Sequence, residues 1–202
     1  SLDKHINCCP IGEDFHRGDC LGQKGERIDA YMMASMASGG IDKVSVWRKI
    51  RAAIITTGEE LMMPGQPLLP GKIYNSNLAY LTGRLKQLGC DITEGCFVGD
   101  DTEAIVSAVR RSAAQADVIL TTGGVSVGVK DLLPEVIEKL GADLLFHGID
   151  LKPGMPTMAS LYNGKTNISL SGNPFSASAV FELLMQPLIR KMTGSSHPVM
   201  VR

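Results

Sequence analysis

A loop at residues 122–128, Thr-Gly-Gly-Val-Ser-Val-Gly, is the segment of this sequence best suited to binding an anion. Its glycines allow backbone N–H groups to approach a phosphate or another oxyanion without a Cβ in the way. The candidate ligand-binding residues are Gly123, Gly124, Ser126 and Gly128. The alternative interpretation is a tight turn between a strand and a helix, with no ligand.

A second candidate is Ser-Gly-Asn-Pro-Phe-Ser-Ala at 171–177, which ends an apolar run and begins a helical pattern. Asn173 suits the N-cap and Pro174 suits the first helical position. Free N–H groups and the positive end of the helix dipole then favour an anion, so Gly172, Asn173 and Ser176 are predicted to bind the ligand. Helix capping alone would also explain Asn173 and Pro174.

One cation accompanies these loops, Lys152 in Lys-Pro-Gly-Met-Pro at 152–156. An isolated lysine is often only a solvated surface charge. The formal charge of the whole chain is −1, so an anionic ligand would need a local positive group. We therefore predict that Lys152 contacts the ligand.

Carboxylates follow several of the apolar runs, and Mg²⁺ beside a phosphate is usually held by one or two such groups. We predict Glu60, Asp101 and Asp131 both as the metal ligands and as the catalytic acidic residues. The alternative is that Asp100 and Asp101 only cap a helix.

Several common catalytic patterns are missing from the sequence. There is no Gly-Lys-Ser/Thr, no dinucleotide-type glycine spacing and no His-Glu-x-x-His. No Ser-His-Asp order or Cys-His pair is evident either. Chemistry here is therefore expected to rest on positioning, charge neutralisation and a metal ion.

The composition of the chain limits the classes of partner and the cellular compartment that are expected for it. Twenty basic and 21 acidic residues leave no overall charge to attract nucleic acid or an anionic membrane. The apolar runs are far shorter than the ~20 residues of a membrane span, and no secretory leader is evident. The five cysteines contain no C-x-x-C pair, which favours reduced thiols in the cytoplasm.

From residue 51 onward, short apolar runs alternate with helical patterns, which predicts an α/β fold: a three-layer sandwich around a mostly parallel sheet. Ligands of such sheets bind beyond the carboxyl ends of the strands. Residues 1–50 are predicted to form an appendage of short strands followed by one helix, and 195–202 to begin a linker. The predicted strands are 52–57, 92–98, 118–120, 144–147, 158–161 and 167–170, and the predicted helices are 75–89, 102–116, 133–140 and 174–192.

The sequence resembles the molybdopterin molybdenumtransferases of the MoeA type, to which the gephyrin E-domain is similar. Five motifs carry the resemblance in order: Thr-Gly-Glu-Glu-Leu at 57–61, Pro-Gly-Lys-Ile-Tyr-Asn-Ser-Asn at 70–77, Thr-Thr-Gly-Gly-Val-Ser-Val-Gly at 121–128, Lys-Pro-Gly at 152–154 and Gly-Asn-Pro-Phe-Ser-Ala at 172–177.

The resemblance implies a reaction in which molybdate attacks adenylylated molybdopterin, releases AMP and leaves molybdenum on the dithiolene. It implies Mg²⁺ as cofactor, a homodimer and a molybdopterin adenylyltransferase as partner. By motif position, Ser126, Asp131, Lys152 and Ser176 would contact the ligand, and Glu60 and Asp101 would take acidic-site roles.

The sequence departs from the family pattern in four places. Met155 stands where the family usually has a second Lys, which removes a cation expected near molybdate. Glu59, Asn75 and Ser171 also differ from the common residues. Met155 makes a catalytically impaired binding or scaffolding protein one alternative. A molybdopterin adenylyltransferase and a nucleotide pyrophosphatase of the same superfamily are further alternatives, because both share the Thr-Thr-Gly-Gly start.

Overall fold

The computed structural model describes residues 9–124 and 132–195. Within them, residues 9–46 with Ser195 form one compact unit, and residues 47–124 with 132–194 form a larger one. The domain boundaries expected after residues 50 and 194 stay predictions. None of the helices in these described ranges is both long and apolar enough to cross a membrane.

The smaller unit contains one helix, α1 (Ala30–Ser38), as predicted. It begins where the side chain of Asp29 accepts a hydrogen bond from the Met32 N–H. Residues 9–29 contain none of the short strands predicted ahead of α1, and residues 1–8 lie outside the described part of the chain. Gly12, Gly18 and Gly25 have φ values of 85°, 103° and 93°, so the chain turns repeatedly in this region.

The larger unit alternates strands and helices. Its strands are β1 (Arg51–Thr57), β2 (Leu61–Met62), β3 (Ile73–Tyr74), β4 (Asp91–Val98), β5 (Val118–Thr122), β6 (Asp143–His147), β7 (Met158–Tyr162) and β8 (Lys165–Leu170). Its helices are α2 (Ser76–Gln87), α3 (Thr102–Ala113), α4 (Leu133–Leu140), α5 (Pro174–Val180) and α6 (Gln186–Met192). A π-helical turn, Phe181–Met185, joins α5 to α6, so the long helix predicted over 174–192 is continuous but not uniformly α-helical.

Six strands form the main sheet in the order β4-β1-β5-β8-β7-β6. β4, β1, β5 and β8 run parallel, while β7 is antiparallel to both β8 and β6. β2 and β3 form a separate two-stranded sheet that the sequence pattern did not predict. The mostly parallel sheet is confirmed.

Helices cover both faces of this sheet, which gives the predicted three layers. Ile54 and Leu120 pack on one side in a core that includes residues of α2 and of the helix from 174 to 192. Ile55 and Ile119 point to the other side, into a core with α3 and α4. Alternate residues of β1 and β5 thus face opposite layers. The runs at 52–55 in β1 and 118–120 in β5 are apolar without a break, because both faces of the sheet are buried there.

The strand register brings several loops to one edge of the sheet. Thr57 pairs with Val98, Thr122 pairs with Leu170, and Met158 pairs with Ser169. We call this the carboxyl edge; it consists of residues 58–60, 99–101, 123–124, 148–157 and 171–173. The chain passes from β1 outward to β4 and then returns across β1 to β5. Strand order therefore reverses between β1 and β5, which is where ligands of open α/β sheets bind.

Candidate functional site

The glycine turn after β5 lies at this reversal. Gly123 has a φ of 88°, and a Cβ added there would lie 2.3 Å from the carbonyl oxygen of Thr57. The Gly123 N–H donates to the carbonyl of Leu170 at 3.2 Å. The turn is thus held between the ends of β1 and β8, and only glycine fits because any side chain would collide with the backbone of β1.

The loop between β8 and α5 packs directly on this glycine turn. A Cβ added to Gly172 would lie 3.5 Å from the Cα of Gly123. Asn173 caps α5, because its Oδ1 accepts a hydrogen bond from the Ser176 N–H at 3.1 Å. The Ser176 hydroxyl also donates to this oxygen, at 3.4 Å. The structure therefore brings Gly123, Gly172, Asn173 and Ser176 together. Helix capping already uses Oδ1 of Asn173 and both the N–H and the hydroxyl of Ser176.

The loop that carries Lys152 reaches the carboxyl edge through a close packing contact. Gly154 has a φ of 121°, and a Cβ there would lie 2.4 Å from Cγ2 of Val180 in α5. The Thr157 hydroxyl donates to the Gly154 carbonyl at 2.6 Å, which closes the turn. Lys152 and Met155 are both exposed, so the one cation predicted from this motif is available to a ligand.

Two of the three predicted metal-binding carboxylates lie on neighbouring loops at this edge. The Glu60 carboxylate folds over Gly58, where a Cβ would lie 2.8 Å from either oxygen. Asp101 caps α3 through Oδ1, which accepts from the Ala104 N–H at 2.7 Å. Capping, the alternative role for Asp101, is therefore present and leaves Oδ2 for a ligand. Asp100 Oδ2 accepts from the Glu59 N–H at 3.3 Å.

Three predicted site residues, Ser126, Gly128 and Asp131, lie outside the described residues. Residues 9–124 and 132–195 contain no group of three His, Cys, Asp or Glu side chains that could hold a metal ion. The predicted set of Glu60, Asp101 and Asp131 thus stays a prediction, because one of its members is not described.

Sequence reasoning missed two residues that shape the site. Asn77, in the first turn of α2, donates through Nδ2 to the carbonyl of Gly172 at 2.8 Å. Lys72 donates through Nζ to the carbonyl of Glu59 at 2.6 Å, which ties the loop after β1 to the loop before β3. The sequence contained one usable signal: Asn-Ser-Asn at 75–77 has two asparagines, and one is enough to cap a helix.

The first of these asparagines, Asn75, has a structural role. Its Oδ1 accepts from the Leu78 N–H at 3.2 Å, and its Nδ2 donates to the Thr56 hydroxyl at 2.7 Å. Asn75 is buried, so both halves of its amide are satisfied inside the protein. Its role is to start α2 and to attach that helix to the end of β1.

Among the described residues near the carboxyl edge, two buried polar atoms have no hydrogen-bond partner: Oδ1 of Asn77 and Oγ1 of Thr122. Asn77 is 6% exposed and Thr122 is 1% exposed, so bulk water has little access to either side chain. The great majority of buried polar groups in proteins are satisfied, and an orphaned one costs about 1–3 kcal/mol. Such a cost at this edge marks it as a place where stability is not optimised.

Replacing Thr122 with valine is expected to stabilise the protein by about 1 kcal/mol, because it removes the unsatisfied hydroxyl and keeps the β-branched shape. The matched control is Thr121→Val. The hydroxyl of Thr121 donates to that of Ser169 at 2.7 Å, so its loss is expected to destabilise by about 1–2 kcal/mol. Urea unfolding midpoints at constant m measure both effects. Equal effects of the two substitutions would contradict the assignment.

The opposite edge of the sheet holds a separate charged cluster. The buried Asp117 carboxylate accepts hydrogen bonds from the side chains of Arg48 at 2.6 and 2.9 Å and of Arg51 at 3.1 and 3.4 Å. Lys165 Nζ lies 3.8 Å from it. The guanidinium groups, Arg48 first, hold the pKa of Asp117 far below its usual value against the opposing effect of burial. This cluster lies where β1, β5 and β8 begin and has a structural role.

The two cysteines of the larger unit, Cys90 and Cys96, are not suited to act as nucleophiles or metal ligands. Burial, with a smaller contribution from Asp91, raises the pKa of Cys90 to about 11. Burial likewise raises the pKa of Cys96, which is half-buried. Both side chains are therefore protonated near neutral pH and are poor nucleophiles and poor metal ligands.

Comparison with known families gives one match that covers most of the larger unit. The model of a family described as "Probable molybdopterin binding domain" matches residues 53–191. The match spans the sheet from β1 to β8 and the helix that follows it. It includes every candidate site residue named above.

Curated relatives agree with this match. A molybdopterin molybdenumtransferase from Staphylococcus epidermidis RP62A is 37% identical over 193 residues, which is 95% of this chain and 46% of the relative. One from Bacillus subtilis 168 is 38% identical over 192 residues, 95% of this chain and 45% of the relative. The chain thus spans about half the length of the curated relatives it matches.

A solved structure has the same fold. The crystal structure of a molybdopterin biosynthesis MoeA protein from Pyrococcus horikoshii superposes with a TM-score of 0.84 at 34% sequence identity. The superposition covers 92% of this chain and 46% of the other chain.

Proposed function

Because the chain belongs to the family described as probable molybdopterin binding domains, we propose that it binds adenylylated molybdopterin at the carboxyl edge. There it would support the transfer of molybdenum to the dithiolene with release of AMP. The observation that carries this proposal is the packing of the Gly172 turn on the glycine turn at Gly123, which itself lies against the end of β1 where strand order reverses.

The ligand's phosphates would lie against these two turns. Backbone N–H groups at a glycine turn and at the start of a helix stabilise an oxyanion without a charged side chain. Exposed Lys152, on the loop that packs against α5, would supply positive charge for the phosphates or for molybdate. The buried apolar strands behind the turns exclude water, which strengthens each of these interactions.

Mg²⁺ fits the donor set at this edge. Glu60 and the second oxygen of Asp101 are hard carboxylate ligands on adjacent loops, and Mg²⁺ commonly takes one or two carboxylates with phosphate oxygens and waters. We propose that these two residues, with Asp131, would hold the ion. When bound, it would neutralise charge on the phosphate of the departing AMP.

Met155 bears on molybdate capture. Its side chain is 55% exposed on the loop that carries Lys152. The family that the sequence resembles usually has a second lysine at this position. An apolar side chain there cannot contribute to holding a dianion, so turnover is expected to depend more heavily on Lys152. An impaired binding or scaffolding protein is the second candidate function, and Met155 is the observation that favours it.

Four further features belong to the proposal. The resemblance implies Mg²⁺ dependence, a homodimer and a molybdopterin adenylyltransferase partner that supplies the adenylylated substrate, and the cysteine pattern favours a cytoplasmic location. Sedimentation of the full-length protein, alone and mixed with that adenylyltransferase, tests the dimer and the partner. A monomer that does not co-sediment with the adenylyltransferase would refute both.

Addition of ADP with Mg²⁺ is expected to raise the Tm by several °C. A ligand at 100 times its Kd contributes about 2.7 kcal/mol, and each kcal/mol moves the Tm of a domain of this size by about 2–4 °C. Asp131→Ala is expected to abolish the shift. The matched control is Asp143→Ala, an exposed carboxylate at the start of β6 that should leave the shift intact. An unchanged Tm at millimolar ADP would count against the proposal.

The two candidate functions are separated in the full-length protein. Met155→Lys is expected to increase molybdate-dependent AMP release if the natural residue limits anion capture. Full activity of the natural protein would eliminate the scaffolding alternative. AMP release that does not depend on molybdate would refute the transferase proposal.

A further inference from the structure

Asn77 connects two elements that are far apart in the sequence. It lies in the first turn of α2, and its Nδ2 donates to the carbonyl of Gly172 at 2.8 Å across 95 positions of sequence. The partner fixes the orientation of the amide, because a carbonyl accepts only from Nδ2 and would repel Oδ1. The amide oxygen is thereby turned into the protein, where none of the described residues offers it a hydrogen bond.

Stability does not explain this arrangement. The hydrogen bond to Gly172 is offset by the unsatisfied Oδ1, whose burial costs at least as much as one hydrogen bond contributes. Gly172 itself is exposed, so water could satisfy its carbonyl if Asn77 were absent. Asn77 therefore adds little to the folding free energy.

The hydrogen bond does fix the direction of one peptide plane. The C=O and N–H of a trans peptide point in opposite directions, so holding the Gly172 carbonyl toward α2 turns the Asn173 N–H away from it. That N–H lies 3.2 Å from the Ser171 hydroxyl, its hydrogen-bond acceptor. Gly172 in turn packs on Gly123, so its position also limits where the glycine turn can move.

We propose that Asn77 is a positioning residue, which holds the Gly172 turn in the orientation that receives the ligand's phosphate. The inference rests on the function proposed above. Asn77 acts through Gly172 and Asn173 rather than on the ligand itself, since its own free oxygen is buried. A loop fixed before binding loses less conformational entropy when the ligand arrives, and affinity rises accordingly.

The test compares Asn77→Ala and Asn77→Leu with Asn75→Ala, using ADP with Mg²⁺ as the probe. Asn77→Leu keeps roughly the volume of the side chain but removes both the donor and the buried amide oxygen. Both Asn77 variants are expected to bind ADP about tenfold more weakly by calorimetry, while their Tm without ligand stays within about 2 °C of the unchanged chain. Asn75→Ala is expected to lower the Tm by about 5 °C or more, because its cap and its bond to Thr56 are lost.

Three results would overturn the inference. Unchanged ADP affinity in both Asn77 variants, with normal binding by the unchanged chain, would overturn the inference and leave the proposed function standing. A fall in Tm equal to that of Asn75→Ala would make Asn77 a structural anchor. Absence of ADP binding by the unchanged chain would overturn the inference and the proposed function together.

Discussion

Gly123→Ala is expected to destabilise the larger unit by about 3 kcal/mol or more and to abolish ADP binding. A methyl group at this position would lie 2.3 Å from the carbonyl oxygen of Thr57, so the backbone of the turn or of β1 has to move. A left-handed conformation adds about 1–2 kcal/mol of strain for any residue with a Cβ. Because the turn lies between β1 and β8, its displacement would also shift the surface that receives the phosphate.

Gly124→Ala is the matched control. Gly124 has a similar positive φ of 66°, but the nearest atom to an added Cβ is Leu133 Cγ at 3.5 Å, an ordinary contact. Only the conformational strain applies there, so the expected cost is about 1 kcal/mol. Urea unfolding of both variants, followed by ADP titration, measures the difference. Equal destabilisation by the two substitutions would show that the close approach to Thr57 does not matter.

Asp117→Asn is expected to destabilise the larger unit by about 2–3 kcal/mol. The carboxylate is buried, whereas Arg48 and Arg51 are partly exposed, so removal of its charge leaves cations that water can still solvate. Breaking a buried ion pair usually costs about 3–5 kcal/mol, so the cost here should lie at or below the low end of that range. Asp91→Asn is the control: its ion pair with Lys49 is exposed and should contribute below about 1 kcal/mol.

The same carboxylate makes stability depend on pH in the acid range. Its pKa is lower in the folded protein than in the unfolded chain, so its stabilising contribution is complete above the unfolded value of about 3.9 and is lost as pH falls below it. Asp117→Asn should flatten the decline of unfolding free energy below about pH 4. A variant with the same acid dependence as the unchanged chain would contradict this account.

The core elements could be predicted because local and tertiary preferences agree. Leu78, Leu81 and Leu85 recur at helical spacing, and all three are buried on the side of α2 that faces the sheet. α4 begins at Leu133 and ends at Leu140. Gly141 follows it with a φ of 64°, the left-handed conformation that glycine favours after a helix. For such elements the pattern of side chains is sufficient.

Other features could not be predicted because they depend on distant parts of the chain. The strands β2 and β3 are two residues each, and only their pairing with one another defines them. The π-helical turn at 181–185 leaves no periodicity that distinguishes it from an α-helix. Asn77 lies in the motif at 70–77 that resembles the MoeA-type family, but its hydrogen-bond partner Gly172 is 95 positions away in the sequence. Spacing along the sequence carries no information about such a contact.

Amide chemical-shift mapping of the ¹⁵N-labelled chain during titration with ADP and Mg²⁺ tests directly whether the ligand binds at the carboxyl edge. The largest shifts are expected at Gly123, Gly172 and Asn173, with little change at Arg51 and Asp117 at the opposite edge of the sheet. Saturable shifts centred on Arg51 and Asp117, or none anywhere at millimolar ADP, would contradict binding at the carboxyl edge.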